Sequence, residues 1–396
     1  MSSTAMTVAL VSTQRRWHGG EEQARLLAVG LRRRGCRCVV LARRGSLFAE
    51  RMADEGFEVV TFSGGRGPAA LWRIRRALRR VRPDVLHYND SHAIGGAGLA
   101  SLGLQIPARI AARRVDFTIR SPKQYRWFCD CVVCVSGAVA DVCREGGIPD
   151  RLLRVVHDGV DPARVRSGDR ARGRQALSLN DDQTLLLTVA TLTDHKGHRF
   201  LLEALPEVVR KAPNTILALA GDGDLQAALQ RQAERLAIDS HVRFLGFRDD
   251  VPDLIHAADL FVLPSHKEGL CSTLIDVMLA DCPIVATTAG GIPDLVGARK
   301  RGQAPFAGTA LRVLRTKGAC PLFRPEESSE PVAWLVPPRD PRALARAILH
   351  ALDSPDQCAA MRRRALHRAE QRFTADRMVE STLAVYRELI AKPQAV

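Results

Sequence analysis

Short apolar runs alternate with amphipathic helical patterns along most of this chain, and that alternation leaves few folds open. In the first half the runs lie at 7–12, 37–42, 58–62, 84–88, 108–112, 131–135 and 153–156. Helical stretches between them are too long for hairpins, so successive strands pair in parallel through crossovers, and helices cover both sheet faces. A polar, charged stretch at 161–182 interrupts the pattern, which resumes at 185–190, 216–220, 242–245, 260–263 and 284–287. The expected architecture is α/β: two Rossmann-like domains facing a cleft, spanning 1–165 and 166–372. A helical tail follows at 373–396, with Met378, Leu383, Val385, Tyr386, Leu389 and Ile390 in helical register. Ligands of such open sheets bind outside the carboxyl ends of the strands.

At 396 residues the chain is long enough for two cores, and 46% hydrophobic residues with 5% aromatics fit a folded α/β protein. No apolar run approaches the roughly 18 residues of a membrane span. The apolar start, followed by Arg15 and Arg16, is too short and wrongly flanked for a secretory signal and reads as the first strand. Ten scattered cysteines without a framework point to a reduced compartment, so a cytoplasmic location is expected. Strand alternation puts Cys129 and Cys131 on one face and Cys134 on the other, which argues against a zinc site.

The net charge is +15, from 58 basic and 43 acidic residues. Much of the excess lies in the first half, where 69–82 reads as a basic helix with Leu71, Ile74 and Leu78 at helical spacing beside Trp72. Such a helix can lie against anionic lipid headgroups on the inner face of a membrane, or pack on a sheet with a solvated arginine face. The two readings are compatible. No nucleic-acid module accompanies the charge, so nucleic acid is not an expected partner.

The stretch 262–294, VLPSHKEGLCSTLIDVMLADCPIVATTAGGIPD, carries the clearest chemistry. A strand ends in Pro264-Ser265, a Glu268-Gly269 turn follows, and Ser272 and Thr273 lead into an apolar-periodic helix. If the helix starts near Gly269, the N–H groups of Cys271, Ser272, Thr273 and Leu274 point into the loop, where the helix dipole favours a phosphate. Glu268 and Asp276 bracket that site, and eight residues at a rise of ~1.5 Å separate them by roughly 12 Å. One acid can hold sugar hydroxyls and the other ribose hydroxyls. Elsewhere, Gly19 and Gly20 lie between the first strand and first helix, where backbone can approach a ligand. Asp90 and His92 follow the fourth strand, at a carboxyl edge where cleft-lining groups belong. Equally, Asp90 or Ser91 can cap the next helix, with His92 in its first turn. Gly246 and Phe247 close a strand-end loop, with Phe247 either near a base or in the core. The acids Asp222 and Asp224 read as caps of a helix-starting glycine turn rather than metal ligands.

These residues resemble the signature of the retaining GT-B glycosyltransferases of family 4. Pro264-Ser265, Glu268-Gly269-Leu270, Cys282-Pro283-Ile284-Val285-Ala286 and Gly290-Gly291-Ile292-Pro293-Asp294 match its pattern, as does Lys196-Gly197. The chain departs from it with Asp276 in place of a usual Glu and Thr191 in place of a phosphate-neutralising Arg. The resemblance implies a nucleotide diphosphate sugar donor, most often UDP-linked, and no metal or other cofactor. It further implies transfer to a glycan or lipid-linked acceptor with retention of configuration, as in cell-envelope polysaccharide or lipopolysaccharide biosynthesis. Lys196 and Glu268 would act at the reaction centre with His92 or Asp90. Gly19, Gly20, Thr191, Gly246, Phe247, Leu270 and the Cys271–Leu274 turn, with Asp276, would line the donor site. The terminal helix would return to the N-terminal domain, and 298–330 reads as an insertion. Two alternatives stay open: a sugar-nucleotide epimerase on the same scaffold, or a catalytically impaired sugar-nucleotide or membrane-binding homologue.

Overall fold

The computed structural model describes residues 5–63, 67–297 and 331–391. The expected insertion at 298–330 therefore lies outside the described residues. Two compact units emerge, one running to Val160 and taken up again from Ala375, the other comprising Asp161–Thr374.

The first unit is built on β1 (Thr7–Ser12), β2 (Arg37–Arg43), β3 (Glu58–Phe62), β4 (Val85–Tyr88), β5 (Ala108–Arg113), β6 (Cys131–Cys134) and β7 (Leu153–Val155). They form one seven-stranded sheet in the order β3-β2-β1-β4-β5-β6-β7. Every pairing is parallel. The apolar runs are continuous rather than alternating because helices bury both faces, and Val8 to Val11 lose all solvent contact. Chain order reverses at β1, which has β2 on one side and β4 on the other, so the loops leaving β1 and β4 diverge and open a crevice at the carboxyl edge.

As expected, the terminal helix Ala375–Ile390 returns to this unit. Met378, Val379, Leu383 and Tyr386 join the core formed by β1, β2 and the helix Gly19–Arg33. Contact is close at Gly30, where a Cβ would fall 2.4 Å from Val379 Cγ2, so only glycine admits this helix pair.

The second unit contains β8 (Thr184–Val189), β9 (Thr215–Ala220), β10 (Val242–Gly246), β11 (Leu260–Leu263), β12 (Ile284–Thr287) and β13 (Trp334–Val336). Their order is β10-β9-β8-β11-β12-β13, again all parallel, with the reversal between β8 and β11. The charged stretch 161–182, which interrupts the sequence pattern, holds two short helices, Pro162–Arg166 and Arg170–Ala176, capped by Asp161 and Asp169. Its sparse apolar content is explained by how it docks. Arg172 and Arg170 pair with Asp253 and Asp259, and a Cβ on Gly173 would lie 2.2 Å from the Asp253 carbonyl.

The basic helix spans Pro68–Val81 and buries Ala70, Ile74, Ala77, Leu78 and Val81. Trp72 is 59% exposed, and the Arg76 guanidinium lies over its ring. Among the described residues, no helix is long and apolar enough to cross a membrane. Cys129, Cys131 and Cys134 are all buried, and Cys134 Sγ lies 3.8 Å from Cys143 Sγ.

Candidate active site

In the second unit the loops leaving β8 and β11, the two strands at the reversal, bring Lys196 and Glu268 together. Lys196 Nζ donates to Glu268 Oε1 at 2.7 Å, and the Ser265 hydroxyl donates to the same oxygen at 2.8 Å. Glu268 is 5% exposed, so Lys196 and Ser265 rather than bulk water meet this oxygen. Backbone packing fixes both loops. Gly197 adopts φ +72° with its Cα hydrogen facing Pro264, where a Cβ would stand 2.1 Å from the carbonyl oxygen. His266 N donates to the His195 carbonyl at 2.9 Å, tying one loop to the other. On the far side, the Gly291 N–H donates to the Glu268 carbonyl at 3.1 Å, and Gly290, at φ +49°, would place a Cβ 1.8 Å from that oxygen. The paired glycines thus bring β12's exit loop against the Glu268 backbone.

The following helix starts later than the sequence suggests. It spans Ser272–Leu279, and Cys271 precedes it in a left-handed conformation, φ 76° and ψ 83°. Residues 268–271 are therefore a loop, and the helical rise used to space Glu268 from Asp276 does not apply across them. The reason is local: the left-handed Cys271 turns the chain before helical hydrogen bonding begins, with Leu274 N bonded to Cys271 O. Ser272 and Thr273 then supply first-turn N–H groups, the ones a helix leaves without an internal partner. Burial pushes the Cys271 thiol up to about 12, so it is no thiolate nucleophile. Leu270 is buried beneath the loop.

Asp276 lies in the body of the helix, 7% exposed, and its Oδ2 accepts from the Arg164 guanidinium at 2.7 Å. Arg164 was not legible as a site residue. It sits in the short helix Pro162–Arg166, 112 residues earlier, and no local motif marks it. Thr191 is exposed and within 3.3 Å of the Thr193 hydroxyl, which in turn meets His195 Nδ1. Gly246 takes φ +65° and accepts from Gly221 N, binding the β10 exit to the β9 exit. Phe247 is 71% exposed, which removes the core reading of this side chain.

In the first unit the loops leaving β1 and β4 meet in the same manner. Asp90 caps the helix Ser91–Ser101 through the His92 and Ala93 N–H groups, and it also accepts from Thr13 N and Thr13 Oγ1 at 2.8 and 2.7 Å. Its two oxygens thus tie the β1 loop to the β4 loop, the cap reading of the sequence. His92 projects outward, its side chain 78% exposed. It lines a cavity of about 510 Å³ with Arg15, Arg16, His18 and Arg43. Gly19 begins the helix Gly19–Arg33, and a Cβ on Gly20 would meet nothing within 4 Å. Behind them lies a buried polar cluster that sequence reasoning missed. Glu21 accepts from Ser12 and Asn89, and Arg114 bridges Asn89 to Asp158. Burial, reinforced by Asp90, raises the Glu21 carboxyl above its ordinary value. Among the described residues no three His, Cys, Asp or Glu side chains cluster as metal ligands.

Two parallel α/β sheets, each with a reversal of strand order, are the GT-B architecture, and solved structures of that class superpose on the chain. HepE of Anabaena, in complex with UDP and glucose, covers 97% of this chain and all of its own at a TM-score of 0.78 and 19% identity. WaaG, a glycosyltransferase involved in lipopolysaccharide biosynthesis, covers 96% of this chain and 99% of its own at 0.65 and 16% identity. Residues 17–164 match the model of Glycosyltransferase Family 4, and residues 169–304 that of Glycosyl transferases group 1. The chain belongs to the GT-B glycosyltransferases of family 4. The lipopolysaccharide core biosynthesis glycosyltransferase LpsE of Rhizobium meliloti is 28% identical over 55% of this chain and 60% of its own. A GDP-mannose-dependent phosphatidylinositol monomannoside mannosyltransferase of Mycolicibacterium smegmatis is 33% identical over 39% of this chain and 43% of its own. The chain spans about half the length of the curated relatives it matches.

Proposed function

We propose that this chain transfers a sugar from a nucleotide diphosphate sugar, with UDP as the first nucleotide to test, to a glycan or lipid-linked acceptor with retention of configuration and without a metal. The observation that carries the reading is the Lys196–Glu268–Ser265 arrangement at the β8/β11 reversal, beside the first turn of Ser272–Leu279. In this reading Lys196 and the first-turn N–H groups meet the donor diphosphate and stabilise the charge that grows on it as the sugar–phosphate bond breaks. Glu268, held by Ser265 and Lys196, accepts hydrogen bonds from the donor sugar, while Asp276, oriented by Arg164, takes the ribose hydroxyls. An acceptor hydroxyl attacks the anomeric carbon on the leaving-group side, and its proton passes to the departing phosphate oxygen. No enzyme nucleophile enters. The similar HepE structures hold UDP, UDP-glucose, or UDP with glucose, which supports UDP as first choice.

His92, exposed beside Asp90, is the proposed acceptor-side group, with Asp90 positioning the loop. Gly19 and Gly20 leave the backbone of the first unit's β1 exit open to a ligand, and Thr191, Gly246, Phe247 and Leu270 of the second unit line the nucleotide side of the donor. The basic helix Pro68–Val81 with exposed Trp72 supports a peripheral station on an anionic, cytoplasmic membrane face. The test is transfer from a panel of radiolabelled nucleotide sugars. Glu268→Ala and Lys196→Ala are expected to lower transfer at least 100-fold, with circular dichroism unchanged; full activity in both sinks the assignment. Thr191, which brings no positive charge to the phosphates, favours a second reading as an impaired sugar-nucleotide binder. Nucleotide binding without turnover across the panel would select it. Interconversion of a donor in the absence of acceptor would select an epimerase instead.

A further inference from the structure

The cavity at the β1/β4 reversal has a composition that the transfer reaction alone does not require. Its polar lining comprises Arg15, Arg16, Arg43, His18 and His92 with the neutral Thr13 and Gln14, and among the described residues no carboxylate lines it. In the same unit Arg25, Arg34, Arg37, Arg80, Arg114 and Arg144 form ion pairs with acids, while others, among them Arg33 and Arg79, form none among the described residues. Arg15, Arg16 and Arg43 form none among the described residues. Three guanidinium groups without a carboxylate partner thus line one concavity, and their common charge favours an anion there. The rest of the lining is largely apolar, formed by Val11, Phe62 and Ile74 with the small residues Ala93 and Ala97 of the helix after β4. At about 510 Å³ the space suits a small-molecule ligand rather than a single ion.

Guanidinium forks match the paired oxygens of a phosphate, and three of them match the charge of a phosphate monoester or diphosphate better than that of one carboxylate. The apolar wall calls for carbon next to the charge. We propose that this cavity binds the phosphorylated end of the acceptor, a saccharide or isoprenoid carrying a phosphate monoester or diphosphate. The assignment rests on the transferase reading for the word acceptor. The cavity's preference for phosphate rests only on its own residues.

The experiment is calorimetric titration of the full chain with glucose 1-phosphate and farnesyl phosphate, each beside its neutral counterpart, methyl glucoside or farnesol, and with UDP. At least one phosphorylated probe is expected to bind ten or more times more tightly than its neutral counterpart, and the better of the two identifies a saccharide or a lipid source. That affinity is expected to fall at least tenfold in Arg15→Gln/Arg16→Gln and in Arg43→Gln, whose melting temperatures stay near that of the parent, and to weaken with salt. Equal binding of the neutral counterpart, or phosphate affinity unchanged in the arginine variants, overturns the proposal. So does a parallel loss of UDP affinity in those variants, which assigns the cavity to the donor. A chain that binds the phosphorylated probes through these arginines but takes no nucleotide sugar overturns the transferase reading and the acceptor role with it, leaving the phosphate preference standing. The two failures are thereby distinguishable.

Discussion

Lys196 and Glu268 form a 2.7 Å ion pair whose acidic side is almost fully buried and whose basic side keeps partial access to solvent. Removing one member of such a pair strands the other charge, whereas removing both leaves packing to relax. Lys196→Met and Glu268→Gln are therefore expected to destabilise singly and to couple, the double variant being more stable than the sum predicts by about 1–3 kcal/mol. Urea denaturation of the four proteins measures the coupling, and strict additivity would show that the pair carries no structural interaction energy.

Arg164 and Asp276 differ in exposure, with side chains 47% and 9% accessible. The guanidinium is half exposed but its carboxylate is buried, so Arg164→Ala, which leaves Asp276 without this partner, is expected to cost on the order of 1–3 kcal/mol. If Asp276 meets the ribose, loss of its orienting partner raises the nucleotide dissociation constant roughly three- to tenfold, and Asp276→Ala raises it further. Calorimetry with UDP decides; an unchanged constant in both variants leaves Asp276 as a tether between two helices.

Two glycines separate backbone necessity from ligand access. Gly290→Ala combines a left-handed φ with a Cβ driven into the Glu268 carbonyl, and a loss of at least about 2 kcal/mol is expected, with transfer abolished. Gly20→Ala meets nothing and lies in the first turn of a helix, so stability is expected to hold or to rise by up to about 1 kcal/mol. Should transfer then fall sharply in a protein of raised melting temperature, Gly20 serves the ligand's approach; full transfer would reduce it to an ordinary helix start.

Acid sensitivity should come from buried histidines. Burial lowers His87 to about 3 and His198 to about 4, in both cases below the ordinary 6.5. The unfolded chain therefore binds protons that the folded chain refuses. Stability is complete above about pH 6.5 and falls as the pH drops towards those values. Neither ring nitrogen of His198 has a hydrogen-bond partner among the described residues. His198→Leu is expected to gain on the order of 1–3 kcal/mol and to flatten the loss between pH 6.5 and 4.5, as read by urea midpoints across that range. An unaltered pH slope would mean that the acid response comes from other groups.

The sequence by itself determined the strands. β1, β11 and β12 begin and end where the apolar runs do, because strands buried on both faces need uninterrupted apolar residues. It also determined that Lys196-Gly197 and Pro264 to Leu270 sit at strand exits, since each follows its strand directly in the chain. Local sequence misled at 269–271, because nothing in the composition announces a left-handed Cys271, and it left 161–182 looking empty, because helices held by caps and arginine pairs lack an apolar stripe. Only the tertiary structure decided which distant groups meet. Arg164 reaches Asp276, Asp90 ties two loops together, Tyr386 Oη lies 2.7 Å from His87 Nδ1, and three arginines share one cavity. Periodicity along a chain reports which side of an element is buried. It carries no information about which other element supplies the partner, and in these sheets that choice is made by strand order at the two reversals.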